Sequence, residues 1–152
     1  MSDTAAAVVR AYYKTLRQGD PLPPYFLVDE STTKFGISEG AFGYDAVADA
    51  LESQTETTTD WTVESHGLEV TEHGEYATFA DEVTMAWTDL EAGTDRRFET
   101  RWSGTLVRRD AVESKTRSDG SGSETNDDSS ADRTDGPAWL FRTMHVSTAD
   151  KL

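Results

Sequence analysis

Three side chains in this sequence stand where chemistry is possible. Asp81 lies mid-strand between Phe79 and Val83, on a face otherwise made of Phe, Val, Met and Trp. An isolated buried carboxylate costs several kcal/mol, unless a partner or a proton compensates it. Desolvation raises the pKa of such a group, which is how a carboxyl becomes an acid or base near neutral pH. The plainer alternatives are an internal ion pair with Arg101, or a face turned to solvent. Arg101 sits opposite Trp102 on its strand; it is placed either to bind a ligand carboxylate or pair with Asp81, or to be one more surface arginine beside Arg97 and Arg109. His145 shares a predicted strand face with Trp139, Phe141 and Thr143, as a pocket acid–base group or a satisfied core histidine. Asp81 and His145 are thus the catalytic candidates. His66 and His73 fall at a bulge and a turn. The three histidines lack ligand spacing, no carboxylate cluster accompanies them, and there is no cysteine, so no metal is expected. Glycines 36, 40 and 43 lack the spacing and the lysine of a phosphate loop, and no cofactor is expected either.

The elements that must hold these residues follow from periodicity. Ala5, Val8, Val9, Tyr12, Tyr13 and Leu16 form one apolar stripe, predicting a helix from residue 4 to about 18, capped by Ser2 or Asp3 and ended at Gly19 before Pro21. Residues 25–28 read as a short helical turn and 32–37 as a short strand, with a glycine-rich loop at 38–43. A second helix is expected from Tyr44 to about Ser53, with Val47, Ala48 and Leu51 inward. Trp61 to Val70 reads as a strand whose phase switches between Ser65 and Leu68, which implies a bulge near His66-Gly67. A hairpin turn at 72–75 leads into a strand from Tyr76 to Thr88, with Ala77, Phe79, Asp81, Val83, Met85 and Trp87 on one face. The next strand, from Arg96 to about Asp110, puts Phe98, Thr100, Trp102, Gly104 and Leu106 on one face; Trp139, Phe141, Thr143, His145 and Ser147 share a face on the last strand. Helices first and hairpin-linked strands after predict an α+β domain, with helices packed on one face of a curved antiparallel sheet.

Length and composition predict one domain spanning residues 1–152. The stretch 111–136 is Ser, Asp, Gly, Thr and Glu with almost nothing to bury, and reads as a mobile acidic insertion between the last two strands. The net charge is −15. That surface repels phosphate backbones and anionic lipid, so neither nucleic-acid nor membrane partners are expected. With no leader-like segment and no apolar run of spanning length, the expected location is cytoplasmic. Only Lys14, Lys34, Lys115 and Lys151 among the 14 basic residues are lysine. An acid-rich, lysine-poor, threonine-rich composition resembles that of halophilic archaea, whose cytoplasm holds molar salt.

Several stretches together resemble the NTF2-like superfamily, in particular its SnoaL-like, ketosteroid isomerase-related branch. Residues Val8 to Leu16 with Gly19-Asp20 resemble its first helix, and Val28-Asp29-Glu30, Phe35-Gly36 and Gly43-Tyr44-Asp45-Ala46-Val47 its next section. Residues 101–106 and 139–147 look like its last two strands, which commonly end in a Trp…His-x-Ser pattern. The resemblance implies a cone-shaped α+β fold, a deep pocket between sheet and helices, and homodimers formed through the sheet. Tyr12 matches the tyrosine that donates to the substrate oxyanion in isomerase-like members. The expected carboxylate base is missing, because that region reads Lys34-Phe35-Gly36-Ile37; no acid stands near Ser103 to Thr105 either. The resulting expectation is a domain binding a small organic molecule in an apolar pocket, with Tyr12, Tyr13, Trp61, Asp81, Trp87, Arg101 and His145 around it. The alternatives are a cofactor-free isomerase, cyclase or dehydratase using Asp81 or His145, and a non-catalytic dimerisation module. The fold alone does not choose among them.

Overall fold

The computed structural model describes residues 4–112 and 136–149. Helix α1 (Ala5–Gln18) is capped by Thr4, one residue after the predicted caps; its hydroxyl accepts from the Ala7 amide at 3.0 Å. The Glu72 carboxylate accepts from the Ala5 amide at 2.9 Å, so two acceptors meet the free N–H groups of the first turn. Gly19 ends the helix in the left-handed conformation (φ 74°), and the amides of Gly19 and Asp20 return to the carbonyls of Leu16 and Thr15. The predicted apolar stripe of α1 is fully buried.

A 3-10 turn (Pro23–Tyr25) carries the chain to β1 (Thr33–Phe35). The segment read from sequence as a glycine-rich loop contains a further strand, β2 (Gly40–Phe42), paired antiparallel with β1. Helix α2 (Tyr44–Thr57) runs a turn longer than its apolar residues predict, into the polar run after Ser53. Then come β3 (Thr58–Ser65), β4 (Glu69–Glu72), β5 (Tyr76–Asp89), β6 (Thr94–Arg108) and β7 (Trp139–Thr148). The seven strands form one curved, unclosed sheet in the order β2-β1-β7-β6-β5-β3, with β4 also paired to β5. The sheet is antiparallel except for β1 and β7, which run parallel. This mixed edge departs from the all-antiparallel expectation.

The concave face carries the core. β5 contributes Ala77, Phe79, Val83 and Met85; β6 contributes Phe98, Trp102 and Leu106; both match their predicted alternation. On β7 the alternation is broken. Leu106 pairs with Phe141 and Thr105 with Thr143, leaving Arg142 as the extra residue of a bulge. Past it the phase inverts, so Met144 and Val146 join Trp139 and Phe141 in the core, while His145 is exposed. The predicted common face of Trp139, Phe141, Thr143, His145 and Ser147 is therefore split in two. The predicted phase switch near His66-Gly67 is where β3 gives way to β4. Most of the acidic stretch 111–136 lies outside the described residues. Among the described residues, no helix is long and apolar enough to cross a membrane.

Candidate functional site

A cavity of about 320 Å³ lies between the concave sheet face and the two helices. Trp102, Met85 and Val146 form its floor, from β6, β5 and β7. Tyr12 and Leu16 of α1 and Ala50, Ser53, Gln54 and Thr57 of α2 form the helical walls. The β1–β2 hairpin closes one end with Lys34, Gly36, Ile37, Ser38 and Glu39, and Trp61 and Trp87 stand at another.

A backbone irregularity positions the last two. Asp60 holds a positive φ of 57°, and the β3–β5 register shifts between Thr59 and Thr62. The extra residue turns Trp61 over Trp87: the rings stack with centroids 4.6 Å apart and 18° between planes, and the Trp61 indole N–H donates to the Thr58 hydroxyl at 2.8 Å. Tyr12 is held by edge-on contacts with Tyr25, Phe26, Trp102 and Phe141 at 5.2–6.2 Å. Its hydroxyl makes no hydrogen bond among the described residues, and burial pushes its pKa up. The Trp102 indole N–H donates to Thr100, whose hydroxyl donates to the Val83 carbonyl, so the floor is fixed in place.

Tyr12, Trp61 and Trp87 therefore line one cavity. Asp81 is not in that lining. It is 5% exposed and accepts three hydrogen bonds: from Tyr13 Oη at 2.8 Å, Ser65 Oγ at 2.6 Å and the Gly67 amide at 3.0 Å. Those donors come from α1, the end of β3 and the link to β4, so the carboxylate ties the strand break to the helix. Tyr13 is its partner, and burial, then that hydrogen bond, push the phenol pKa up. Arg101 is on the convex face, an exposed side chain 3.9 Å from Glu82 rather than a partner of Asp81. His145 is also on that face, edge-on to Phe35 at 5.8 Å. A second depression, on the convex face, includes His66, Glu82, Glu99 and Arg101. There the Thr84 hydroxyl donates to Glu99 at 2.6 Å, so His66 Nε2, 2.7 Å from the same oxygen, must carry a proton and donate. Among the described residues, no group of three His, Asp and Glu side chains converges.

The family model for the SnoaL-like domain matches residues 5–112, which include every wall of the cavity except Val146. The chain belongs to the SnoaL-like domain family. Among curated proteins none matches the sequence. Solved structures similar to this SnoaL-like domain include an NTF2-like superfamily protein from Salmonella enterica, at TM-score 0.69 and 13% identity, covering 95% of this chain and 88% of that one. A ketosteroid isomerase-like protein from Erwinia carotovora is similar at TM-score 0.66 and 15% identity, covering 96% and 94%. So is a candidate dehydratase of the NTF2-like family from Streptomyces avermitilis, at TM-score 0.68 and 11% identity, covering 96% and 94%. At these identities the likeness establishes the fold.

The residue that sequence reasoning passed over in this SnoaL-like domain is Lys34. In the sequence it stands where isomerase-like relatives carry an acid, and reads there only as the lack of one. Strand alternation on β1 turns Phe35 to the convex face against His145 and leaves Lys34 on the cavity side. Lys34 is half-buried and makes no hydrogen bond or ion pair among the described residues. Burial pushes its ammonium pKa below the ordinary lysine value, and the charge of Glu39 pulls it part of the way back. Glu39 is folded across Gly36, where an added Cβ would lie 3.1 Å from the carboxylate Oε2. The signal was present in the sequence: a lysine, scarce in this chain, in a short strand two residues from a glycine.

Proposed function

We propose that this chain binds one small, flat, uncharged organic molecule in the cavity between the helices and the sheet. The observation that carries this reading is the cavity itself: about 320 Å³, with the rings of Tyr12, Trp61, Trp87 and Trp102 in its walls and polar side chains, among them Lys34, Glu39 and Gln54, completing them. Ligand sites combine aromatic and apolar walls with placed polar atoms, and this volume is near their lower bound. The net charge of −15 supports an uncharged ligand, since the protein's field opposes the approach of an anion. The names of the similar folds, isomerase-like and dehydratase, agree with a site for a small carbonyl or hydroxyl compound. The acidic, lysine-poor surface supports molar salt as the working medium.

The test is a thermal-shift and tryptophan-fluorescence screen in molar KCl against aromatic ketones, aldehydes, phenols and indoles. A ligand at 100 times its Kd stabilises the fold by about 2.7 kcal/mol. Trp87→Ala, which removes half of the indole stack, is expected to weaken binding. Ser53→Trp, at an exposed position of the cavity wall, is expected to abolish it while leaving the fold intact. A library without a hit, or hits indifferent to both substitutions, would remove this cavity as the site.

A further inference from the structure

We propose that Lys34 is a reactive amine that condenses with the carbonyl group of an uncharged aldehyde or ketone held in the cavity, forming an imine. This rests on the cavity reading above and names the class of ligand it takes.

Three observations converge. Lys34 lines a cavity whose other walls include Trp61, Trp87, Trp102 and Met85, so it stands in the wall of a site that can hold an aromatic carbonyl compound. It is half-buried and has no hydrogen bond or ion pair among the described residues, so nothing in the protein holds its charged form. The only other titratable groups in that lining are Tyr12 on α1 and Glu39 on the same hairpin. Partial withdrawal from water disfavours the ammonium, the direction in which its pKa moves, and the neutral amine is a nucleophile. An ammonium anchor for a carboxylate is the alternative use. It is disfavoured because the nearby Glu39 already opposes an anion, as does the charge of the whole chain.

The condensation balances with the groups of the cavity wall and solvent protons. The Nζ lone pair attacks the carbonyl carbon, the N–C bond forms, and the C=O π pair moves to oxygen, which takes a proton. Nitrogen gives up a proton, leaving a neutral carbinolamine. The nitrogen lone pair then expels the hydroxyl, protonated, as water, leaving a protonated C=N that releases its N–H proton to give the imine. Amine and carbonyl become imine and water, with no oxidant or reductant. Glu39, folded over Gly36 in the same wall and the carboxylate whose charge Lys34 feels, is the base assigned to take the proton from nitrogen and return it to the departing oxygen.

The experiment uses the full chain in molar KCl with 2-naphthaldehyde as probe. Cyanoborohydride traps any imine as a stable secondary amine, and peptide mass mapping locates it. A lowered pKa leaves more of the amine neutral and the cavity holds the aldehyde beside it, so Lys34 is expected to be trapped faster than the exposed Lys14. Its pH–rate midpoint should lie below the ordinary lysine value of 10.5. Ser53→Trp should abolish trapping at Lys34 and leave Lys14 unchanged. Trapping at Lys34 no faster than at Lys14 overturns the proposal. The non-carbonyl twin 2-methylnaphthalene separates the two readings: if it binds and perturbs tryptophan fluorescence while Lys34 stays unmodified, the amine proposal falls and the cavity stands. If neither probe engages the cavity, both fall.

Discussion

Asp81 shows what a buried carboxylate does when it has partners. Its three donors satisfy the charge without a cation, and each hydrogen bond to a charged group contributes roughly 1.5–3 kcal/mol. Tyr13→Phe is expected to lower the unfolding free energy by an amount in that range, measured by urea denaturation. Asp81→Asn should cost at least as much, and the double variant less than the sum, because the two share one contact. Ligand binding in the cavity should survive both. Lys34 gives the opposite case, a charge whose protonated form the fold disfavours. Its folded pKa is lowered, so between that value and the unfolded 10.5 the unfolded chain binds more protons and stability rises with pH. Lys34→Met should therefore stabilise the unliganded protein at neutral pH, and the gain should shrink as pH approaches 10.5; urea midpoints of both proteins across that window check it. The anomaly of Asp81 was legible in the sequence, because a carboxylate on an apolar strand face is visible without coordinates. Its role was not, since its donors lie 14, 16 and 68 residues away. Lys34 was hidden for another reason: a three-residue strand is too short for alternation to announce which side chain points inward.

Between residue and molecule, the bulges decide what faces the cavity. On β5 and β6, paired without interruption from Tyr76–Val107 to Asp89–Thr94, alternation in the sequence names the inward residues correctly. On β7 one extra residue turned His145 out and Val146 in, and no glycine or proline at Arg142 marked the place. On β3 the bulge at Asp60 made the tryptophan stack, again without a glycine. The parallel pairing of β1 with β7 has no local signature, because residues 33–35 and 143–145 meet only in the finished fold. Gly104 marks the one place where the β6–β7 irregularity constrains composition. A Cβ there would lie 2.1 Å from the Thr143 carbonyl oxygen and 2.9 Å from the Phe79 ring. Overpacking a core usually costs about 1–3 kcal/mol. Here the clash is with backbone, which cannot rotate away, so Gly104→Ala should reach or exceed the upper end, read as a lowered urea midpoint. Asp60→Gly should be neutral to mildly stabilising, because glycine adopts positive φ without steric cost and the tryptophan stack does not involve the Asp60 side chain.

The charge of the whole chain links stability to binding. Three ion pairs among the described residues, Arg97–Glu99, Arg101–Glu82 and Arg108–Asp110, join exposed side chains. Such pairs contribute about 0–1 kcal/mol each, too little to offset the self-repulsion of a chain at −15. Screening acts on that repulsion directly: the Debye length falls from about 10 Å at 0.1 M salt to about 3 Å at 1 M. The melting temperature should therefore climb as KCl rises across that range, and a flat profile would show that the excess acid is not what limits stability. The same screening separates ligand classes. The field repels an anion on its way to the cavity and in it, but leaves an uncharged ketone alone. For a matched pair of aromatic probes, one a ketone and one a carboxylate, affinity measured at both salt concentrations should favour the ketone most at low salt. The carboxylate should gain as KCl rises while the ketone changes little. If the carboxylate instead binds more tightly than the ketone at low salt, the local charge of Lys34 outweighs the global field, and the amine serves as an anion anchor rather than as a nucleophile.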